Sequence, residues 1–346
     1  MTDVIEEVDA VTAVNICYNA VLHRDPAAHE IDYFVHQISI GMDYLGVVRV
    51  LSSSEEFRNS TQAPLFVPPG HFYSPIVDPI SVESHIYNIE SGPFPSHLPE
   101  IPLDPTKLIE TWQAMVPYLL QLPFEMQKTE PYRYQYDNTM YSWGDASILS
   151  GIINLFRPRR IIEIGSGWSS ACMLDTVEHI LNLDTKVTFI EPYTAILRDV
   201  LGRDYCKADV IEEGIQNIDL KIFDQLEKND ILFIDSTHVL KTGSDVEFEL
   251  FKILPRLKDG VIVHFHDMFW PFEYPRSWVV DENRSWNELY GIRAFLSGNR
   301  EWDVLFFNDY MCKIELDLIK DTYPAFLNNS GGALWLQKTA GVATFD

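Results

Sequence analysis

The 346-residue sequence holds only four cysteines, Cys17, Cys172, Cys206 and Cys312, scattered without CxxC spacing. Neither a disulfide framework nor a zinc knuckle is expected from them, and a reducing, cytoplasmic location suits them. Cations are scarce as well: 26 Lys and Arg stand against 51 Asp and Glu, a net charge of −25 at pH 7. Such a chain repels phosphate backbones and anionic lipids, which weighs against nucleic-acid and membrane partners. No apolar run approaches the ~20 residues that cross a bilayer. The start, MTDVIEEVD, places acids where a secretion signal needs basic and then apolar residues. Solenoid-length repeats and low-complexity tracts are also missing. Apolar material is plentiful at 46% of residues, enough for one large or two modest cores.

Residues 1–60 read as a small all-α module. Val14, Cys17, Tyr18, Val21 and Leu22 recur at helical spacing, as do Ile31, Phe34, Val35 and Ile38. Asp25-Pro26 and Gly41 mark breaks, and a third helix carries Val47, Val48, Val50 and Leu51. The motifs LHRDP, IDYF, IGM and LSSSEEF resemble a bacterial helical module of unassigned function that accompanies glycan-related and other enzymes. Residues 61–105, rich in Pro, Ser and His, read as a linker, with the alternative that their aromatics fold back over a neighbouring site. The main domain, 106–346, opens with an amphipathic helix over 108–122, an aromatic loop over 132–143 and a second helix over 145–156.

From Arg160 onward strands and helices alternate, the signature of a mostly parallel sheet covered on both faces. Strands are expected at 160–164, 186–190, 208–211, 231–234 and 260–265, and later at 302–307 and 333–337. The first runs through Glu163-Ile164-Gly165-Ser166-Gly167-Trp168 into a helix. Gly165 and Gly167 permit a tight turn and a ligand close to the backbone, beside the free N–H groups of the helix start. A dinucleotide fingerprint wants a third glycine where Ser170 stands, which counts against NAD. The second strand ends Phe189-Ile190-Glu191-Pro192, placing a carboxylate beside the loop where it can accept ribose hydroxyls.

EIGSGWSS followed by FIEP resembles the cofactor site of class I S-adenosylmethionine-dependent methyltransferases. The resemblance implies an α/β, Rossmann-like methyltransferase fold, a doubly wound and mostly parallel sheet of seven strands. It also implies that S-adenosylmethionine binds along Gly165, Ser166 and Gly167, with Glu163 steadying its amino group indirectly and Glu191 on the ribose.

The fourth strand ends in Asp235, three residues before His238, and the fifth in His264-Phe265-His266-Asp267. Adjacent strands lie ~5 Å apart, so Asp235 and Asp267 can converge, and they repel unless a cation or a proton lies between them. A divalent metal would relieve that repulsion and lower the pKa of a substrate hydroxyl, and His238 is near enough to take its proton. The layout is similar to metal-dependent sugar O-methyltransferases of the macrocin and mycinamicin type. That resemblance implies Asp235 and His238 as catalytic residues, Asp235, Asp267 and His266 as ligands of Mg, Mn or Fe, and a hydroxyl of a sugar, glycosylated or small-molecule acceptor as the methylation site. His266-Asp267 departs from the usual acid pair, so the third ligand stays open, and His264 reads first as a core histidine.

Ser244 or Asp245 is expected to cap the next helix, with Lys241 pairing with Asp245 or touching a substrate anion. An aromatic insertion, 268–290, reads either as a substrate lid or as a packing surface against the N-terminal region or a second subunit. Its Arg276 and Arg284 are anion binders or ordinary surface ion pairs. Two other functions remain open: a metal-dependent oxygenase or hydrolase using His266, Asp267 and Asp235, and a non-catalytic cofactor-binding protein.

Overall fold

A computed structural model describes residues 9–22, 24–54 and 66–339. The chain divides into two compact units, Met1–Ile76 and Val77–Asp346. In the first, helices Ala10–Leu22, Ala28–Ser39 and Tyr44–Ser52 bury Val14, Cys17, Tyr18, Leu22, Phe34, Val47 and Leu51 against one another. Asp43 caps the third helix by accepting from the Gly46 amide at 2.7 Å. The end of the LSSSEEF motif, residues 55–57, lies outside the described residues. No helix among the described residues is long and apolar enough to cross a membrane.

The second unit is built on seven strands: β1 (Arg160–Ile164), β2 (Lys186–Ile190), β3 (Asp209–Ile211), β4 (Ile231–Ile234), β5 (Ile262–Phe265), β6 (Trp302–Phe307) and β7 (Leu334–Lys338). Their order is β3-β2-β1-β4-β5-β7-β6, parallel except for β7, which runs antiparallel to both neighbours. This is the doubly wound sheet expected from the alternation. β4 and β5 are buried along their whole length, as continuous apolar runs in a sheet covered on both faces should be. The order reverses between β1 and β4, so their carboxyl ends open onto a crevice. Gly165 stands there with φ +79°, and a Cβ would collide with the Asp235 carbonyl oxygen on β4's side. Only glycine serves at this position.

The linker reading of 61–105 needs correction from residue 77 onward. Pro79–Ser91 is a helix, capped by Asp78, and Pro105–Leu119 is another, capped by Asp104. Ile86 and Ile101 are buried in the large core. The intervening carbonyls are used too: Trp270 Nε1 donates to Pro95 O at 2.8 Å and the Tyr310 hydroxyl to Ser96 O at 2.9 Å. Residues 61–65 lie outside the described residues. Trp112, on the helix Pro105–Leu119, is fully buried, stacks on Phe306 and donates to Thr322.

The first half of the aromatic insertion is packing material. Trp270, Phe272 and Tyr274 are buried, with Trp270 edge-on to Phe307 and Tyr310. Its partner is the helix Pro79–Ser91: the Arg276 amide donates to Glu90 at 2.9 Å, and the Arg276 guanidinium pairs with Glu83 at 2.7 Å.

A boundary at 76/77 makes a testable difference. A chain starting at Val77 should melt cooperatively, close to the melting temperature of the sheet unit in the full chain. One starting at residue 106 exposes the surface that Ile86 and Ile101 cover and orphans Trp270 and Tyr310, so it should aggregate or melt many degrees lower by circular dichroism. Equal melting of the two chains would return 77–105 to the linker.

Candidate active site

The crevice between the two halves of the sheet holds a cleft of about 500 Å³. Gly165, Glu191 and Asp235 form its floor, and Tyr193, Ile215 and Thr237 are among its walls. Glu191 is held by the backbone of the loops it joins: Oε2 accepts from the Ser166 amide at 3.0 Å and Oε1 from the Tyr193 amide at 2.6 Å. Each oxygen keeps a lone pair for a ligand. The described lining carries three carboxylates, Glu191, Asp235 and Asp245, and no Lys or Arg. A cationic ligand fits that field, and a pyrophosphate does not.

Just before the glycine loop lies Glu163, the last residue but one of β1 and without solvent contact. Its Oε2 accepts from the Ser170 hydroxyl, which also accepts from the Gly167 amide, while Oε1 is buried without a partner. Burial pushes its pKa up to about 8, against the hydrogen bonds of Ser169 and Ser170.

On the other side of Asp235 the second group of expected residues comes together. His238 Nε2 lies 3.5 Å from Asp235 Oδ1 and 3.3 Å from Asp267 Oδ2, and Nδ1 lies 2.9 Å from Glu288 Oε2. Burial disfavours the imidazolium, but hydrogen bonds to Asp235 and Glu288 and their charges outweigh it and raise its pKa well above the ordinary value. The Asp267 carboxyl is raised as well, by burial. Both residues adopt left-handed backbone, φ +60° for His238 and +56° for Asp267, a conformation side-chain-bearing residues seldom take and one that gathers at functional sites.

The expected metal set does not assemble. His266 Nε2 stands 3.6 Å from Asp267 Oδ1, and its Nδ1 is buried without a partner. Among the described residues no three His, Cys, Asp or Glu side chains are arranged to hold a metal ion. The physical reason is that His238 Nε2 occupies the space between the two carboxylates, where the cation was expected, and its own charge relieves their repulsion. His264 is a core residue: it lies in register between Phe233 and Trp335 on neighbouring strands, stacked 3.9 Å from Phe233. Burial, and then the His266 charge, hold it well below its ordinary pKa. Ser244 caps its helix by accepting from Glu247, but Asp245 accepts from Thr237 rather than pairing with Lys241. Arg276 pairs with Asp281 and Glu83, and Arg284 with Glu282, so both are ion-paired.

Sequence reasoning missed three participants. Glu288 and Trp286 come from the end of the insertion, and Trp286 covers the His238 ring at 4.4 Å. Asp145 is buried against Gly331, where any Cβ would strike its carboxylate, and burial pushes its pKa up to about 7. A lone acid in the otherwise uncharged run SWGDASIL is the one available signal for it.

Comparison with known proteins fits this geometry. Residues 162–268 match the family described as Methyltransferase domain, and residues 5–61 match a domain of unknown function, DUF4214. An uncharacterized protein of Archaeoglobus fulgidus is 31% identical over 170 residues, 47% of this chain and 74% of that one. The chain belongs to that protein's family. The stretch that matches the methyltransferase model, 162–268, lies in the sheet unit and runs from within β1 to the loop after β5. Similar solved structures include the SAH-bound Podospora anserina methyltransferase PaMTH1, 14% identical over 80% of this chain and 100% of that chain with a TM-score of 0.39. Another is the O-methyltransferase from Bacillus cereus in complex with SAH, 15% identical over 75% and 97% with a TM-score of 0.35.

The state of Glu163 is open to measurement. Its raised pKa means that stability present below the ordinary carboxylate range is lost as pH climbs toward 8. Glu163→Gln removes that ionisation and keeps the shape. Its melting temperature relative to the native chain should therefore rise by about 5 °C between pH 5 and pH 8. A gap that stays constant with pH would show that Glu163 is not protonated in the fold.

Proposed function

We propose that the protein transfers the methyl group of S-adenosylmethionine to a hydroxyl of a sugar, glycosylated or other small-molecule acceptor. One observation carries this reading: a cleft at the point where the sheet order reverses, lined by three carboxylates and no Lys or Arg, shares Asp235 with the His238 cluster. The cofactor, a cation with a ribose and an amino-acid end, supplies an already reactive methyl group when bound, so the protein's task is alignment and proton removal. Glu191 takes the ribose hydroxyls on lone pairs that Ser166 and Tyr193 leave free. The backbone at Gly165 and Gly167 lets the methionine end approach, and the buried Glu163 steadies that end indirectly, through Ser170, which accepts from the Gly167 amide.

His238 is the proton acceptor. At rest its Nε2 holds a proton between Asp235 and Asp267. The raised pKa of Asp267 suits that carboxylate to receive this proton, which frees Nε2 to take the one leaving the hydroxyl. No step is routed through a metal, because the donor set is not arranged for one.

Calorimetry with S-adenosylmethionine and its homocysteine product tests the first half of the reading. Binding should be measurable, and Glu191→Ala should weaken it ~10- to 100-fold, the worth of lost hydrogen bonds to a charged acceptor. His238→Ala should bind the cofactor as the native chain does and lose ~10²- to 10⁴-fold in transfer to a panel of glycans and small alcohols. Native protein that binds neither form of the cofactor would sink the proposal, and binding without transfer to any acceptor would favour a cofactor-binding protein without catalysis. Transfer should persist in a chelator. Loss in chelator with recovery on adding Mg²⁺ would mean that a metal displaces His238 from the two carboxylates.

A further inference from the structure

His238 cannot hold its own conformation. A non-glycine residue at φ +60° needs support from its surroundings. That support comes from the dipeptide Asn287-Glu288, at the junction of the aromatic insertion and the helix Glu288–Leu296. The amides of Asn287 and Glu288 both donate to the His238 carbonyl at 3.1 Å. The Asn287 side chain reads the next turn of the same loop, accepting from the Leu240 amide at 2.6 Å and donating to the Leu240 carbonyl at 3.2 Å. Glu288 then reaches the ring itself, Oε2 to Nδ1 at 2.9 Å, from a position 2% exposed. Trp286, one residue before the pair, closes one face of the imidazole.

From this geometry we infer that Glu288 is a positioning residue for His238: it accepts from Nδ1–H and thereby leaves Nε2, which faces Asp235 and Asp267, as the nitrogen that exchanges protons with the acceptor. The inference rests on the methyl-transfer reading of this site. A neutral imidazole has one N–H, and the partner of one nitrogen decides which nitrogen is free. A carboxylate at Nδ1 can only accept, and at 2.9 Å Glu288 is within hydrogen-bond distance while the carboxylates at Nε2 stand off at 3.3 and 3.5 Å, so the neutral ring keeps its proton on Nδ1. A carboxamide in the same place can turn its NH₂ toward Nδ1 and reverse the choice, putting the proton on Nε2 where it blocks the reaction. The aromatic insertion and the proton acceptor are thus tied together by two adjacent residues, while Asp235 and Asp267 at the strand ends face the opposite nitrogen.

Three full-length variants separate this role from simple packing. Glu288→Gln keeps volume and a hydrogen bond but loses the obligatory acceptor, Glu288→Asp keeps the carboxylate at shorter reach, and Glu288→Ala loses both. Positioning predicts that Glu288→Gln lowers kcat by ~10²- to 10⁴-fold with cofactor affinity within about twofold of native, by analogy with loss of the orienting acid in an Asp–His pair. It also predicts that Glu288→Asp transfers faster than Glu288→Gln. A packing role predicts the reverse order, with Gln close to native. A second readout does not depend on activity. In protein labelled with ¹⁵N-histidine, with His238 assigned by loss of its signals in His238→Gln, pH is raised until the ring is neutral. Nδ1 should then report as the protonated nitrogen in the native chain, and in Glu288→Gln the proton should move to Nε2. If the native chain transfers no methyl group, the methyl-transfer reading fails and the nitrogen shifts still decide whether Glu288 orients the ring. Native-like transfer in Glu288→Gln, or identical His238 nitrogen shifts in native, Gln and Ala chains, would overturn the inference.

Discussion

Carboxylates crowded at the carboxyl end of a parallel sheet need positive charge, and that requirement organises this site. Asp235 and Asp267 are brought to neighbouring strand tips by the topology alone, and Asp145 and Glu288 approach from helices. In a buried setting, like charges at such distances raise one another's pKa or draw in a counter-charge. Here the described counter-charges are two imidazoles. His238 bridges Asp235 and Asp267, while the charges of Asp235, Asp267 and Asp145 together raise His266 against its burial. The unusual backbone at His238 and Asp267, the grip of Asn287 and Glu288, and the cover of Trp286 are all consequences of placing a charged ring where the strands converge.

A buried ion pair is seldom retained for stability, since well-packed apolar residues of similar volume often serve the fold as well or better. Four carboxylates and two imidazoles gathered in a largely buried cluster, with Asp235 partly open to the cleft, therefore point to chemistry, in keeping with the tendency of perturbed groups to collect where reactions occur. The same reasoning separates His264 from its neighbour two residues on. Its ring is stacked in register between Phe233 and Trp335, and burial holds its pKa well below the ordinary value, which is what a packing residue does.

Much of this was legible in the sequence because it depends on short-range rules. Strand tips place their last residues in the crevice, so Gly165, Glu191, Asp235 and Asp267 were found at the carboxyl ends of hydrophobic runs. The metal was inferred from a correct premise, two repelling carboxylates, but the sequence does not say which neighbour relieves the repulsion. Glu288 lies 50 residues from His238, and nothing in SWNELY marks it as a partner. The linker error was different in kind, since the signal was present. Asp78-Pro79 and Asp104-Pro105 are each an acid at the N-cap with proline at the first helical position, a start signal for helices. Proline content outweighed proline position.

Net charge of −25 is likewise informative only once the acids are placed. Many pair on the surface, as Glu83 and Asp281 do with Arg276, and exposed pairs of that kind contribute little stability. The acids that build the candidate site are the few turned inward, and they divide between two neighbouring spaces. Glu191 and Asp245 face the cleft, Asp267 and Glu288 face His238, and Asp235 belongs to both. A charge change on either side is felt on the other through that one carboxylate. Arrival of a cation in the cleft would weaken Asp235's hold on the His238 proton, so loading the first space lowers the imidazole's pKa and favours the neutral ring that can accept a proton. On the proposed reading, binding and proton removal are coupled in this way by electrostatics, through the one carboxylate the two spaces share.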